Sequence, residues 1–359
     1  MRADLSAAYS DRGRPGIPPE QLLKAMLLRA IYSIPSDRRL MEAIEFNILY
    51  RWFLDLEQDA PAWTPEVFSM NRDRFLKHDL VRKFFDRVVA AGIDRKLSSN
   101  DHFTVDGTLV RSLASHKSVE RVDGKEGEGE SESENPSEGQ NGDGKDDDAG
   151  GGNVLAKSEG RPSRDESVNW RGERRTNETH RSKTDSEARF ARKGNGREAH
   201  LSHSMHVLME NKSGLCLDVR MDAADGKAER RSALAMLKRF KRRHGLSPAT
   251  LGADAGYDDG EFLLKLEESG ITPHVAMKRG RAKAKGKKGD ARRRAARRVG
   301  QVGYELSQRV RKRVEQVIGW TKTVAGQARA RFVGRSRIEM DAMVAGAAYN
   351  LLRMTKLMA

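Results

Sequence analysis

One cysteine in 359 residues, Cys216, leaves no partner for an internal disulfide and no set of thiolates for a cysteine-based zinc site. Its flanks, "LCLDV", read as those of a small core residue. Long hydrophobic runs are also missing. Nothing approaches the roughly 18 continuous apolar residues of a membrane-spanning helix, and the start, "MRADLSAAYS", has no apolar signal core, so a cytoplasmic chain is expected. Acids are short relative to bases: 52 Asp and Glu against 67 Lys and Arg give a formal charge of +15. That excess is larger than solubility needs and suggests a polyanionic partner held through counterion release. A membrane surface would call for an amphipathic basic helix or an anchor, so nucleic acid is the first candidate. No internal repeat of fixed period is apparent.

What is present changes character along the chain. Residues 17 to 95 read as helices. "IPPEQLLKAMLLRAIYSI" opens with prolines suited to a first turn, "SDRRLMEAIEFNILYRWFL" follows with Ser36 or Asp37 as N-cap, and a third unit starts at a Thr-Pro cap and ends at Gly92. Short helices with tight connections can present a recognition helix to DNA; "FSMNRDRF", with Arg72 and Arg74, is the candidate. An ordinary helical bundle with a charged surface fits equally well. These features suggest a helical N-terminal DNA-binding domain over 1–96 and a second domain over 97–359.

The second domain begins at "DHFTVDGTLV", a short strand ending in Asp106. From about 118 to 165 the chain is acidic and almost free of apolar side chains, so it reads as a disordered insert. Order is expected to resume near Trp170, with a hairpin over "AHLSHSMHVLME", "NKSG" and "LCLDVRMDA". Then come a helix, a strand ending at Asp254, a helix closed by Gly270, the strand "ITPHVAM" and a closing helix that carries Glu315. The series predicts a mixed α/β sheet with helices on its faces. Before the closing helix, "KRGRAKAKGKKGDARRRAARR", about 278 to 298, reads as a mobile basic loop whose partner is a phosphate backbone.

Asp106 and Asp254 each end a predicted strand and are followed by small residues, "VDGT" and "ADAG". Strand ends are where an open α/β sheet presents functional groups, and small neighbours allow a bulky ligand to approach. In "RVRKRVEQVIGWTK" Val310, Val314, Val317 and Thr321 form one helical stripe, while Arg311, Glu315 and Lys322 form a ridge beside it. An Arg311–Glu315 surface ion pair would explain the glutamate alone. Placed beside the two aspartates, however, Glu315 completes a trio of carboxylates that would repel unless a cation neutralised them. Oxygen-only ligands suit Mg²⁺ or Mn²⁺, and two such ions about 4 Å apart can clamp the attacking and leaving oxygens of a phosphoryl transfer. Arg311, Arg313 and Lys322 would then hold the DNA strand. Asp258 and Asp259 compete with Asp254 but read better as helix caps. "HLSHSMH" offers His200, His203 and His206, yet strand alternation puts His203 on the face opposite the other two.

At these residues the chain resembles the DDE transposases of bacterial insertion sequences, within the insertion-sequence 5 group. "GRPGIPPEQLLKAMLLRAIYSIPSDRRLMEAIEFNILYRWFLDL" is similar to that group's N-terminal region. "FTVDGTLV", "ASHKS", "LGADAGYD", "TPHVAM", "RKRVEQVIGWTKT" and "AAYNLLRM" are similar, in order, to its catalytic domain. By position the resemblance assigns catalysis and metal binding to Asp106, Asp254 and Glu315, and its Arg and Lys around the glutamate fall on Arg311 and Lys322. Its tyrosine falls on Gln308, and the lead before "GRP" is shorter than is common in the group. The resemblance implies a ribonuclease H-like fold, two divalent ions, and cleavage at the element's terminal inverted repeats that frees a 3′-hydroxyl to attack target DNA, with a homodimer expected in the DNA complex. A nuclease on the same fold, or a repressor that keeps DNA binding without catalysis, are the rival readings.

Overall fold

The computed structural model describes residues 16–122, 176–194, 197–278 and 286–359. Most of the acidic insert and the start of the basic run lie outside them. The first helices form where the sequence supplies caps. Prolines open α1 (Pro19–Ile31), and the Ser36 hydroxyl accepts the Arg39 N–H to start α2 (Asp37–Phe46). Asn47 ends that helix and caps the next, α3 (Ile48–Phe53), by accepting from Tyr50 N. Thr64 caps α4 (Pro65–Lys77), and α5 (Leu80–Asp94) follows after Asp79 turns the chain with a left-handed φ of 53°. The second and third predicted helical units are therefore each divided in two.

The sheet starts with β1 (His102–Arg111). Two short strands, β2 (Val119–Arg121) and β3 (His180–Ser182), pair apart from it. The edge strand β4 (Arg189–Ala191) and the hairpin of β5 (His200–Glu210) and β6 (Cys216–Ala223) lie antiparallel to one another, and β5 is antiparallel to β1. After α6 (Ala228–His244), strand β7 (Thr250–Ala253) pairs parallel with β1. After α7 (Gly260–Glu268), strand β8 (Thr272–Val275) pairs parallel with β7. The order β6-β5-β1-β7-β8, three strands antiparallel and then two parallel, makes this a mixed sheet of the ribonuclease H-like kind that the sequence predicts.

The remaining helices are α8 (Gly286–Arg298), α9 (Val302–Arg311), α10 (Val314–Thr323) and the long α11 (Arg335–Met358). The last of these ties the molecule together. It packs on β6, α1 and α5, and its Gly346 is needed there, since a Cβ would sit 2.9 Å from the Phe85 ring and 3.3 Å from Val219. Asn350 clamps the same helix to the sheet by accepting from Cys216 N at 2.8 Å and donating to Cys216 O at 2.7 Å. Cys216 itself is buried, and burial pushes its thiol far above the ordinary range, as suits an inert core residue. Buried arginines add polar ties. Arg29 joins Asp37 at 2.7 Å and Asp341 at 2.5 Å, and Arg82 joins Asp218 at 2.7 Å. Most buried apolar side chains among the described residues, from Ile17 to Met354, form one cluster, and Ala114, Ala188 and Leu201 form a smaller second one.

Two expectations are corrected here. The basic run is not a loop over 286–298. It is α8, with Ala291 and Ala295 buried one turn apart and three of its arginines paired with acids outside the helix: Arg292 with Asp258, Arg294 and Arg298 with Glu267. Asp258 is accordingly a buried ion-pair partner that also accepts the Lys278 N–H, and only Asp259 caps α7, accepting from Glu261 N and Phe262 N.

Candidate active site

Strand register explains how Asp106 and Asp254 come together. Thr104 of β1 lies opposite Gly252 of β7 in a parallel ladder, so each aspartate stands two residues further on, on the same face as its paired neighbour. Parallel strands lie roughly 4.8 Å apart, which makes the two acids neighbours at the point where the strands part. Each is held by the small residues after it: Asp106 Oδ1 accepts the Gly107 N–H at 2.8 Å, and Asp254 Oδ1 accepts the Gly256 N–H at 2.8 Å.

Glu315 sits in the first turn of α10, exposed, and its charge reaches Asp106. The predicted single helix over 309–322 is broken at Lys312 and Arg313, so Arg311 ends α9 instead of standing one turn before Glu315. No Arg311–Glu315 ion pair forms among the described residues. Arg311 turns to Asp106 instead, with Nη1 4.0 Å from Oδ2. Val314, Val317 and Thr321 are buried as the stripe predicts.

Electrostatics mark the place. Burial, and then the Asp254 and Glu315 charges, push the Asp106 carboxyl up to about 6 against the opposing pull of Gly107 N–H and Arg311. A further acid enters the site that sequence reasoning missed. Glu229, in the first turn of α6, is pushed upward by burial and then by Asp254 and Asp106. The Tyr257 hydroxyl, 1 % exposed and with no hydrogen-bond partner among the described residues, is raised well above the ordinary range by burial and then by Glu229, Asp106 and Asp254. His206, directly across from Gly107, is fully buried with neither ring nitrogen bonded among the described residues, and burial drops it to about 4, so it is a neutral ring near pH 7. A Cβ at Gly107 would lie 2.9 Å from its Nδ1, which requires the glycine. The set is rich in carboxylate oxygens and poor in cations, a donor chemistry that fits Mg²⁺ or Mn²⁺ better than a soft metal.

The other expected residues divide. Lys322 lines a cleft of about 440 Å³ with Thr108, Arg111, Lys193 and Arg197; burial and then the Lys193 charge lower its pKa. Arg313 is exposed and donates to Asn211 O at 2.8 Å, and Arg74 is exposed on α4. Arg72, expected on a DNA-facing surface, is instead 4 % exposed, bonded to Asp37 and stacked 4.3 Å above the Phe332 ring. Its neighbours Phe68 and Phe75 are buried as well, so much of "FSMNRDRF" faces the core. Gln308 donates to Ala253 O and His274 O, tying α9 to the ends of β7 and β8. The histidines of β5 separate: His203 is buried on Asp185 at 2.8 Å, whereas His200 lies near Glu198 and His116, their ligand atoms within 4.8 Å of one another.

A family model described as "Transposase DDE domain" matches residues 169–351, just over half of the chain. The chain belongs to the DDE transposase family. A second model, "Transposase domain (DUF772)", matches residues 1–74. Both matches are compatible with the insertion-sequence 5 group. Asp254 and Glu315 fall inside the DDE match and Asp106 outside it. No curated protein and no solved structure matches the chain. Among the described residues no helix is long and apolar enough to cross a membrane.

Proposed function

We propose that the chain is an active transposase that binds the terminal inverted repeats of its own element and cuts and joins DNA there, with Asp106, Asp254 and Glu315 holding divalent cations. The observation that carries this reading is the parallel register of β1 and β7, which sets two acids side by side where the strands part, with a third on the helix above them. Bound there, Mg²⁺ or Mn²⁺ would supply the Lewis acidity that activates an attacking oxygen and stabilises the leaving one. The chain's own residues do the rest. Asp106, half-buried and close to two other acids, is poised to exchange a costly proton or repulsion for a cation. Arg311, 4.0 Å from Asp106, stands where it can hold a phosphate of the strand being cut. Lys322, Lys193, Arg197 and Arg111 line a cleft beside β1 that can carry the backbone onward. A hydrolytic cut followed by attack of the freed 3′-hydroxyl needs no covalent enzyme intermediate, so the site needs no serine or tyrosine nucleophile. In the DNA complex a homodimer would bring two element ends together.

The test is cleavage of a labelled duplex bearing the element's own terminal repeat, in Mg²⁺ or Mn²⁺, by wild type and Glu315→Gln. The expected result is a cut leaving a 3′-hydroxyl at the element end, lost in the variant. Specific binding without cleavage by wild type would instead support a repressor, and cutting without preference for the repeat would support a nuclease.

A further inference from the structure

We propose that Glu229 is a fourth carboxylate of the acid cluster and supplies an oxygen to a divalent cation shared with Asp254 and Asp106. The inference rests on the reading of the cluster as a cation site.

Glu229 reaches the cluster from a different element. Helix α6 packs across β5 and β6 and touches the short turn Ala255–Tyr257, so its first turn overhangs the point where β1 and β7 part. The two glycines after the aspartates locate the side chain. Glu229 Oε2 and Asp254 Oδ1 lie 2.7 and 2.9 Å from one point, the place a Gly256 Cβ would occupy. Glu229 Cγ lies 3.7 Å from the corresponding point at Gly107. The space that small residues leave beside the two acids is thus filled by a third carboxylate aimed at them.

A helix N-terminus favours an acid, and that alone would account for a glutamate pointing into solvent. It does not account for this one. Glu229 is half-buried, makes no hydrogen bond or ion pair among the described residues, and is crowded by two like charges. Other acids buried on the same sheet are saturated: Glu210, for example, accepts from Ser99, Ser213 and the Lys212 N–H. Beside Glu229 two further groups lack hydrogen-bond partners among the described residues. The Tyr257 hydroxyl, at 1 % exposure, feels all three acids, and His206, at 0 %, packs against the same glycine as Glu229. Buried polar groups are partnered by protein, water or an ion in more than nine cases in ten, so two such orphans beside a half-buried carboxylate that itself has no partner among the described residues mark a place built to hold something. Carboxylates on three sides make that something a hard cation.

The test is Mn²⁺ binding to the full-length protein without DNA, by isothermal titration calorimetry, for wild type, Glu229→Gln, Glu229→Asp and Asp106→Asn, with the cation-free melting midpoint of each. Glu229→Gln is expected to weaken Mn²⁺ binding by about ten- to a hundredfold. Its cation-free midpoint should be at or above that of wild type, because one of three mutually repelling acids is gone, and Glu229→Asp should keep part of the affinity. Wild-type affinity in Glu229→Gln together with loss in Asp106→Asn would overturn the role of Glu229 and leave the cation site standing. No binding by wild type would overturn both. If Glu229→Gln loses Mn²⁺ only because it melts early, and Glu229→Asp behaves the same way, Glu229 is structural and the proposal fails.

Discussion

On β6, Asp218 and Asp222 are buried among arginines; across β5, Asp106, Asp254 and Glu229 are gathered with almost none. Asp218 receives Arg82 at 2.7 Å and Arg239 at 2.7 and 2.8 Å. Asp222 receives Arg231 at 2.7 and 3.0 Å, and the Ser232 hydroxyl at 2.9 Å. The other group has two backbone N–H bonds and one arginine 4.0 Å away. The shifts follow the partners. Burial would raise the Asp222 carboxyl, but Arg231, the Ala223 N–H and Ser232 outweigh it and hold it below the usual carboxylate range, while Asp106 is pushed up to about 6. Opposite partners thus separate two buried acids that hold the fold from the half-buried acids proposed as cation ligands.

The largest effect is expected where the second group is broken. Asp254→Asn should reduce Mn²⁺-dependent cleavage by about a thousandfold or more, some 4 kcal/mol of barrier, with no loss of stability in urea unfolding. A variant that cuts at the wild-type rate would remove Asp254 from the site. In the first group the signature reverses. Asp218→Ala removes the buried carboxylate that Arg82 and Arg239 share, leaving them Val219 O and Glu339, and should cost about 3–5 kcal/mol of folding stability, read by urea denaturation.

The comparison also predicts pH behaviour. Because the folded-state pKa of Asp222 is depressed, its contribution to stability is fully present above about pH 4 and is lost as the pH falls through the lower folded value. Asp222→Asn should be less stable than wild type near pH 7, and the gap should narrow in acid; a constant gap in pH-dependent unfolding would show that the ion pairs with Arg231 and Arg335 contribute little. Asp106→Asn should run the other way, raising cation-free stability near neutral pH by on the order of 1 kcal/mol, since it removes one of several crowded charges. Smallest of all, Arg74→Ala on the exposed face of α4 should stay within about 0.5 kcal/mol of wild type in unfolding, whereas Arg72→Ala should not, a contrast that unfolding midpoints measure directly.

The parts of this that the sequence made legible are those written locally. The acids before small residues, the hairpin of β5 and β6, and the caps at Ser36 and Thr64 each follow from neighbouring residues, although β1 does not end at Asp106 as expected but runs on to Arg111 in its ladder with β5. What escaped was set by distant contacts. Arg72 looks like a surface cation until Asp37 and Phe332 fold over it. The Lys/Arg-rich composition of 286–298 hid the alanine spacing at 291 and 295 that seats α8 on α7. The break at Lys312 and Arg313 has neither proline nor glycine to announce it. Glu229, in "KAERRS", reads as an ordinary charged helix start, and only the packing of α6 over the parting strands reveals it. An acid in the first turn of a helix that follows the hairpin was the one signal available.

Cation binding by the acid cluster is read most directly from the melting midpoint of the full-length protein with and without Mn²⁺, in wild type, Asp106→Asn, Asp254→Asn, Glu315→Gln and Asp222→Asn. Mn²⁺ should raise the midpoint of wild type and of Asp222→Asn, and the rise should shrink or disappear in the other three. An equal rise in all five proteins, or none in wild type, would contradict cation binding there.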